Sequence, residues 1–328
     1  MNCTLEKAAK LLCEKDDFIL LCHIRPDGDT LGSAYALKYA LEAVGKNARV
    51  ECADEIPKRL SFVTELSEFD RTRNSENGSK KPFVCAIDVA ELHLLGANSE
   101  TYGETIGLKI DHHPNGAEYA RYNYIDGKAA ACGEIIFKLI RRLEEMRGAK
   151  LTPAVCTALY VAIASDTGCF KYSNVSAATM RIAAELIDGG ADNYEVCHRL
   201  FEVKTRAELE ARKYMLNKTE FYANGRVAFL LIGADFRKKS GATDDDIGGL
   251  VSEMRETEGV ELAITLKQDV SKPEKFKISM RTALTLSASD LCAMFGGGGH
   301  ERAAGGMVIA KSVEEAKKEV IEKVLAAI

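Results

Sequence analysis

The feature that most constrains this chain is the tripeptide Asp111-His112-His113, which directly follows the apolar run at residues 105–110. The run has the length and composition of a buried strand, so two imidazoles and a carboxylate are expected where that strand ends. Side chains at the carboxyl ends of strands in an open α/β sheet line its ligand crevice. Because imidazole and carboxylate groups bind divalent metals, the tripeptide predicts a metal site at a sheet edge.

Three further groups of carboxylates share this position after an apolar run. They are His23, Asp27 and Asp29 after residues 18–22, Asp88 after residues 83–87, and Asp166 after residues 159–164. If these runs feed one sheet, the carboxylates converge at its edge and repel each other unless cations balance them. Each motif taken singly is also explained by a turn or a helix cap. The joint pattern is therefore what favours a functional site.

The first half of the chain alternates strand-like apolar runs with helical patterns, which predicts an α/β fold with a mostly parallel sheet flanked by helices. The predicted strands are 18–22, 49–52, 83–87 and 105–110, and the predicted helices are 30–41, 129–146, 153–164 and 176–187. Residues 71–81 lack periodicity and are rich in turn formers, so a surface loop is expected there.

The length of 328 residues favours two domains. We expect a metal-binding catalytic domain at 1–190, a charged linker helix at 191–222, and a smaller α/β domain at 223–328. In the last domain, strands are predicted at 226–231, 260–265 and 275–280, and helices at 245–256, 287–295 and 312–327. The glycine run at 296–299 follows a predicted helix, and a short alanine-rich helix is expected after it. Such a run can present backbone amides to phosphate, although it is a weak signal in isolation.

Composition excludes several classes of protein. The net charge is −5 without a block of like charges, so a long basic track for duplex nucleic acid is not expected. The ten cysteines include no C-x-x-C pair, which favours reduced thiols in apolar cores. No segment has the length and hydrophobicity of a membrane span or the pattern of a signal peptide. These features predict a cytoplasmic protein.

The four motifs together resemble those of a known superfamily. In order they are His23-x3-Asp27-x-Asp29, Asp88, Asp111-His112-His113 and Asp166-Thr167-Gly168. Across about residues 17–175 they resemble the motifs of the DHH phosphoesterases, and residues 296–305 resemble the signature of the DHHA1 substrate-binding domain. The order and length of the two domains resemble the bifunctional oligoribonuclease and 3′-phosphoadenosine 5′-phosphate phosphatase group.

The resemblance implies a centre of two divalent metal ions bridged by Asp88. One ion would be held by His23, Asp27 and Asp88, and the other by Asp29, Asp88, His112 and Asp166. Mixed imidazole and carboxylate ligands suit manganese, with magnesium, cobalt and zinc as weaker candidates. Water between two such ions becomes a hydroxide nucleophile near neutral pH.

The resemblance also implies the remaining site residues. His113 would contact the scissile phosphate or protonate the leaving oxygen, and Asp111 would orient an imidazole, with a simple turn role as the alternative. The expected substrate contacts are Arg281, Gly298, Gly299, His300, Arg302 and Arg25. Thr282 stands where many relatives carry serine, which keeps a hydroxyl beside Arg281.

The resemblance implies a metal-dependent phosphohydrolase that degrades very short oligoribonucleotides to mononucleotides and removes the 3′ phosphate of 3′-phosphoadenosine 5′-phosphate. A cyclic or linear dinucleotide phosphodiesterase uses the same groups and is the alternative. An inorganic pyrophosphatase shares the first-domain ligands but lacks the glycine-rich signature. A non-catalytic nucleotide-binding protein is disfavoured because a competent ligand fills every metal position. Short nucleotides are the expected partners, and the sequence leaves open whether the chain forms a homodimer.

Overall fold

A computed structural model describes residues 1–66, 81–283 and 285–328. The chain divides into two compact units, Met1–Val203 and Lys204–Ile328, and each is described by itself. The loop predicted at 71–81 lies outside the described residues except for Lys81. The predicted α/β class, with a parallel sheet in the first unit and a smaller α/β second unit, is confirmed.

The first unit contains a five-stranded sheet in which every neighbouring pair of strands is parallel. Its strands are β1 (Phe18–Leu21), β2 (Ala48–Glu51), β3 (Phe83–Ile87), β4 (Ile106–Asp111) and β5 (Tyr122–Ile125). Both faces of the sheet are covered, since Leu20 packs into the larger core and its neighbour Ile19 into a smaller one. A strand buried on both faces reads as a continuous apolar run, which explains the uninterrupted hydrophobicity of β1, β3 and most of β4.

Seven helices belong to the described part of the first unit. They are α1 (Leu5–Glu14), α2 (Gly28–Ala43), α3 (Ala97–Tyr102), α4 (Cys132–Arg147), α5 (Pro153–Asp166), α6 (Ala177–Asp188) and α7 (Asn193–Cys197). Shorter helical turns lie at Lys58–Glu65, Leu92–Leu95, Gly103–Thr105 and His198–Glu202. Helices α1, α2, α4 and α5 contribute most of the larger core against the sheet.

The order of the strands, β2-β1-β3-β4-β5, places a crevice in a definite position. The chain leaves β1 toward β2 on one side and later returns to β3 on the other side. An open parallel sheet binds ligands outside the carboxyl ends of the strands at such a switch point. The segments that begin at Cys22 and at Asp88 therefore flank the crevice.

Two glycines bring α2 unusually close to α5. A Cβ atom at Gly32 would lie 2.5 Å from the carbonyl oxygen of Ala158, and one at Gly28 would lie 2.6 Å from Cβ of Ser165. Any larger side chain would force the helices apart. The close approach carries Asp166, at the end of α5, to the first turn of α2.

The second unit has a six-stranded mixed sheet of order β10-β11-β9-β8-β7-β6. Its strands are β6 (Glu220–Tyr222), β7 (Val227–Ile232), β8 (Leu262–Gln268), β9 (Lys275–Thr282), β10 (Gly298–His300) and β11 (Ala303–Ile309). Its helices are α8 (Arg206–Lys218), α9 (Ala234–Ser240), α10 (Asp244–Gly248), α11 (Leu250–Arg255), α12 (Ala288–Ala293) and α13 (Val313–Ala327). Among the described strands of this unit, only β7 and β8 pair in parallel.

Each face of this sheet has its own apolar core. Helices α12 and α13 pack on the face that carries Ile264 and Ile278. Helices α8, α10 and α11 pack on the opposite face, against Leu230 and Ala263. No helix in the described ranges has the length and apolar character needed to cross a membrane.

Two local expectations differ from the structure. The alanine-rich helix expected after the glycine run is wrong, because Ala303 and Ala304 lie in β11 and pair with Arg281 and Met280 of β9. Alanine has the highest intrinsic helix propensity, but such propensities are small in free energy, and sheet pairing overrides them here. The range 191–222 is also not one helix: α7 lies in the first unit, whereas α8 and the strand β6 lie in the second.

Candidate metal centre

The structure gathers the metal-ligand candidates of the four motifs at the switch point of the first unit. Three groups have ligand atoms that all lie within 4.8 Å of one another, and they share members. The groups are His23 with Asp27 and Asp88, Asp29 with His112 and Asp166, and Asp88 with His112 and His113. The group of His23, Asp27 and Asp88 is the same as the ligand set expected for one ion. The group of Asp29, His112 and Asp166, together with Asp88, is the same as the set expected for the other ion.

Asp88 lies at the centre of the cluster. It follows β3 with φ of 58°, a left-handed conformation that costs free energy for a residue with a side chain. Its Oδ1 atom is 3.5 Å from Nε2 of His112 and 3.6 Å from Nδ1 of His113, and it has no hydrogen-bond partner among the described residues. A buried carboxylate oxygen without a donor is costly, which points to a cation at this position.

Backbone carbonyls set the orientation of two imidazoles. Nδ1 of His112 is 3.3 Å from the carbonyl oxygen of Ala129, and Nδ1 of His23 is 2.8 Å from that of Ile24. If each Nδ1–H donates to its carbonyl, Nε2 carries the lone pair and faces the carboxylates. Metal-binding histidines in proteins are held in this way.

Asp29 is fixed by backbone amides from another helix. Its Oδ2 accepts from the amide of Cys132 at 2.6 Å, and its Oδ1 accepts from Gly133 at 2.9 Å and from Ser33 Oγ at 3.1 Å. These amides begin α4, whose own N-cap residue, Ala131, offers no side-chain acceptor. Asp29 therefore satisfies the start of α4 and is held rigidly at the cluster.

The charges of the cluster are not balanced by the protein alone. Burial raises the pKa of Asp29 to about 6. Burial and the neighbouring carboxylates raise the pKa values of Asp88 and Asp166 well above the usual range. Without cations, burial and mutual repulsion therefore favour the protonated forms of these carboxyls.

The spacing of the ligand atoms also suits cations. Nε2 of His112 is 3.3 Å from Oδ2 of Asp166 and 3.8 Å from Oδ2 of Asp29, and Nε2 of His23 is 3.6 Å from Oδ1 of Asp27. These separations exceed ordinary hydrogen bonds. Two ligands that share one ion at about 2.1 Å lie roughly 3.0–3.5 Å apart. The side chains therefore need only small adjustments to bind metal.

Asp111 and His113 form a separate hydrogen-bonded pair beside these ligands. Oδ1 of Asp111 is 2.7 Å from Nδ1 of His113 and also accepts from the backbone amides of His112 and His113. Although burial opposes ionisation, the bond with His113 and the charge of Lys109 lower the pKa of Asp111 to about 2. Asp111 is thus a fixed anion that orients the imidazole of His113.

The substrate-contact candidates lie in different parts of the chain. Arg281 and His300 both pair with Ala303 of the intervening strand, so they lie in one row on one face of the second unit. Arg302 is half-exposed and donates to the carbonyl oxygen of Leu286. In the first unit, Arg25 is exposed and its backbone amide donates to Asp54.

The glycines Gly298 and Gly299 are exposed in β10. A Cβ atom at Gly299 would lie 2.6 Å from the carbonyl oxygen of Ala303, and its φ of 146° is disfavoured for other residues. The glycine run thus allows β10 to fold tightly against β11. An amide surface for phosphate at this strand remains a prediction.

Family models match both units. Residues 17–163 match the N-terminal domain of the DHH family, and residues 224–326 match the DHHA1 domain. The chain belongs to the DHH family of phosphoesterases. DHH phosphoesterases are metal-dependent, and the carboxylate and imidazole groups described above can bind metal.

Alignments with similar proteins cover most of this chain. A protein from Thermus thermophilus named bifunctional oligoribonuclease and PAP phosphatase NrnA is 29% identical over 92% of this chain and 87% of its own length. A protein of the same name from Mycoplasma genitalium is 26% identical over 98% of each chain. The crystal structure of an exopolyphosphatase-related protein from Bacteroides fragilis aligns with a TM-score of 0.84 at 22% identity, over 98% of this chain and 95% of that one. This last likeness shows a shared fold.

One residue of this DHH site was missed by the sequence analysis. Lys109 is fully buried in β4, and its Nζ lies 2.9 Å from Oδ2 of Asp111. The amine also donates to the carbonyl oxygens of Ala90 and Ala117. Alternation along a strand puts Lys109 on the same face as Asp111, two residues on. A lysine inside an otherwise apolar run was therefore an available signal of a buried ion pair.

Proposed function

We propose that the protein is a metal-dependent phosphohydrolase that degrades very short oligoribonucleotides to mononucleotides and dephosphorylates 3′-phosphoadenosine 5′-phosphate. The observation that carries the proposal is the cluster of carboxylate and imidazole groups around Asp88. The buried Oδ1 of Asp88 has no hydrogen-bond partner among the described residues. Relatives that span most of the chain bear names with the same two activities. Both activities need hydrolysis of a phosphoester on a small nucleotide.

The donor set suits two divalent ions, and we infer manganese. His23, Asp27 and Asp88 would hold one ion. Asp29, His112 and Asp166 would hold the other, with Asp88 shared between them. Imidazole and carboxylate donors together favour manganese over calcium, which prefers oxygen ligands alone. When bound, the ions would activate water and offset negative charge at the phosphoryl group.

His113 would act on the substrate. Its Nδ1 is held by Asp111, which places Nε2 as the nitrogen that contacts the scissile phosphate or protonates the leaving oxygen. The hydrogen bond with Asp111 holds the ring of His113 in one orientation, so that Nε2 can face the substrate. Asp111 is thus a positioning residue for His113 and not a metal ligand.

The second unit would recognise the nucleotide. Arg281 and His300 share a row of the sheet, so a guanidinium and an imidazole can bind a phosphate or a base from one side. The chain has a net charge of −5, which is unfavourable for binding a long polyanion. Selection of very short substrates follows.

The test is product analysis on end-labelled RNAs of two to five nucleotides, beside 3′-phosphoadenosine 5′-phosphate, a cyclic dinucleotide and a long single-stranded RNA. We expect mononucleotides from the short RNAs and AMP from the bisphosphate, with the long RNA degraded much more slowly. Preferred hydrolysis of the cyclic dinucleotide would contradict the proposal and indicate a cyclic-dinucleotide phosphodiesterase. Equal rates on the long RNA would contradict the selection for short substrates.

A further inference from the structure

A buried cation in the second unit has no role in the function proposed above. Lys267, near the end of β8, is only 5% exposed. In the part of the chain that the structure describes, its amine has no hydrogen-bond acceptor and no carboxylate within 4.0 Å. Placing an ammonium group in a largely buried side chain without an anionic partner is costly.

Other positive charges surround Lys267. Lys267 pairs directly with Lys277 of β9, so the two side chains share a face of the sheet. Arg281 is on the same face, four residues further along β9. The positive charge of Arg237, on α9, also repels the charge of Lys267. The Nε atom of Arg237 is buried without a hydrogen-bond partner among the described residues.

Among the described residues, the negative charge near Lys267 is too small to balance these cations. Asp244 is the carboxylate that acts on Lys267, but it already forms an ion pair with Arg237 at 3.1 Å. Burial, and then the charge of Lys277, lowers the pKa of Lys267 to about 8. The amine thus lacks the stabilising anion that a structural ion pair would supply.

Hydroxyl groups complete the surroundings. Thr265 of β8 pairs with Ser279 of β9. On each strand this pair is two residues from the pair of Lys267 and Lys277. They lie on the same face, between those lysines and Arg281. Ammonium, guanidinium and hydroxyl groups all donate hydrogen bonds, and the oxygens of an anionic phosphoryl group are strong acceptors.

We propose that Lys267, Lys277 and Arg237 form a binding site for a phosphoryl group other than the one that is hydrolysed. That this phosphoryl group belongs to the substrate rests on the proposed function. The anion site itself does not, because all its residues lie in the second unit. The 5′ phosphate of 3′-phosphoadenosine 5′-phosphate and the 5′ phosphate of pApA have the required chemistry. The dinucleotide ApA lacks such a second phosphate. The shared chemistry is a phosphate, carried either by the substrate or by free inorganic phosphate.

The kinetic test uses the full-length, metal-loaded enzyme and Lys267→Met, which keeps most of the side-chain volume and removes the charge. We expect the KM for pApA and for the bisphosphate to rise by about tenfold or more, since a charge-assisted hydrogen bond is lost. The kcat for both and the KM for ApA should stay near those of the parent. Lys267→Arg should retain most of the affinity. Lys318→Met, on the exposed side of α13, is the matched control.

A second measurement does not depend on catalysis. Inorganic phosphate should raise the thermal midpoint of the parent protein more than that of Lys267→Met. Without phosphate, the variant should be as stable as the parent or more stable, because an unpaired buried charge has been removed. A lysine with a merely structural role would instead lose stability on substitution.

The outcomes separate this inference from the proposed function. Equal phosphate stabilisation in parent and variant, together with an unchanged ratio of KM values for pApA and ApA, overturns the inference. Loss of stability in phosphate-free Lys267→Met also overturns it. Loss of phosphate stabilisation with unchanged KM values supports the site and assigns it to free phosphate. A parent enzyme that hydrolyses none of the nucleotides contradicts the proposed function, and the phosphate measurement still decides the inference.

Discussion

The Nζ atom of Lys109 lies 2.9 Å from Oδ2 of Asp111, and both side chains are fully buried. The other oxygen of Asp111 is 2.7 Å from Nδ1 of His113. One carboxylate thus connects a lysine in the core to an imidazole beside the metal cluster. The lysine keeps that carboxylate ionised, and the carboxylate fixes the ring of His113.

Replacing Lys109 by methionine is expected to lower both stability and activity. The carboxylate of Asp111 would be left buried without its cation, which costs about 3–5 kcal/mol of unfolding free energy. Turnover should fall about 10- to 100-fold because the imidazole of His113 loses its fixed orientation. Urea denaturation and steady-state kinetics on a dinucleotide measure the two effects. Lys138→Met is the control, since Lys138 forms a partly exposed pair with Asp126.

A double variant separates the two effects. Lys109→Met combined with Asp111→Leu removes both charges, so much of the lost stability should return. Activity should not return, because Asp111→Leu removes the carboxylate that orients His113. Recovery of activity together with stability would show that the Lys109–Asp111 pair serves folding alone.

Asp88→Asn should remove metal and activity without unfolding the protein. Asparagine keeps the size of the side chain but loses the charge that two metal sites share, so turnover should fall by orders of magnitude. The metal-free variant should be at least as stable as the metal-free parent, because repulsion among buried carboxylates is relieved. Elemental analysis and thermal denaturation measure these quantities. Asp188→Asn, exposed at the end of α6, is the matched control.

The adjacent histidines should differ in their effect on metal content. His112→Ala is expected to weaken metal binding because Nε2 of His112 faces Asp29, Asp88 and Asp166. His113→Ala should lower turnover while metal content stays near that of the parent. Equal loss of metal in both variants, measured by elemental analysis, would show that His113 is also a ligand.

Metal binding should weaken as the pH falls. The raised pKa of Asp29, about 6, means that below this pH the metal-free protein holds a proton there that bound metal must displace. The dissociation constant for manganese should therefore rise as pH falls from neutral to below about 6. Calorimetry in two buffers of different ionisation enthalpy would detect the released protons. A pH-independent constant without proton release would contradict the protonated cluster.

The same shift has a consequence for stability without metal. A carboxyl whose pKa is raised in the folded state favours folding while it is protonated. For Asp29 this contribution is present below its ordinary pKa of 3.8 and is lost as the pH rises through about 6. Thermal denaturation of metal-free parent and Asp29→Asn across this range isolates the contribution. As the pH rises through about 6, the parent should lose thermal stability relative to Asp29→Asn.

Arg281→Ala should affect recognition of the substrate and spare the chemical step. We expect a higher KM for dinucleotides and for 3′-phosphoadenosine 5′-phosphate, with hydrolysis of a small generic phosphodiester nearly unchanged. The reason is that Arg281 lies in the second unit, whereas the metal ligands lie in the first. Arg255→Ala, on α11, is a control in the same unit. Unaltered dinucleotide kinetics in Arg281→Ala would rule out this role.

Much of the fold and the candidate ligand set could be predicted from local pattern. The apolar runs that become β1, β3 and β4 are continuous because both faces of the sheet are buried. The carboxylates and imidazoles that follow them are adjacent in sequence to those runs. Because parallel strands end at the same edge, the sequence alone predicts that His23, Asp88 and His112 lie close together. The fold of the second unit was harder to predict from the sequence, since its glycines and alanines are compatible with a loop, a helix or a hairpin.

The sequence by itself determined which side chains end each strand and which donor atoms they offer, because those features depend only on neighbouring residues. Only the tertiary structure decided which groups meet across the chain. The amides of α4 hold Asp29, Lys109 reaches Asp111 inside the core, and Lys267 is buried opposite Lys277. These contacts arise from strand register and helix packing, which join residues far apart in sequence. Their energies depend on burial, and burial is a property of the folded chain.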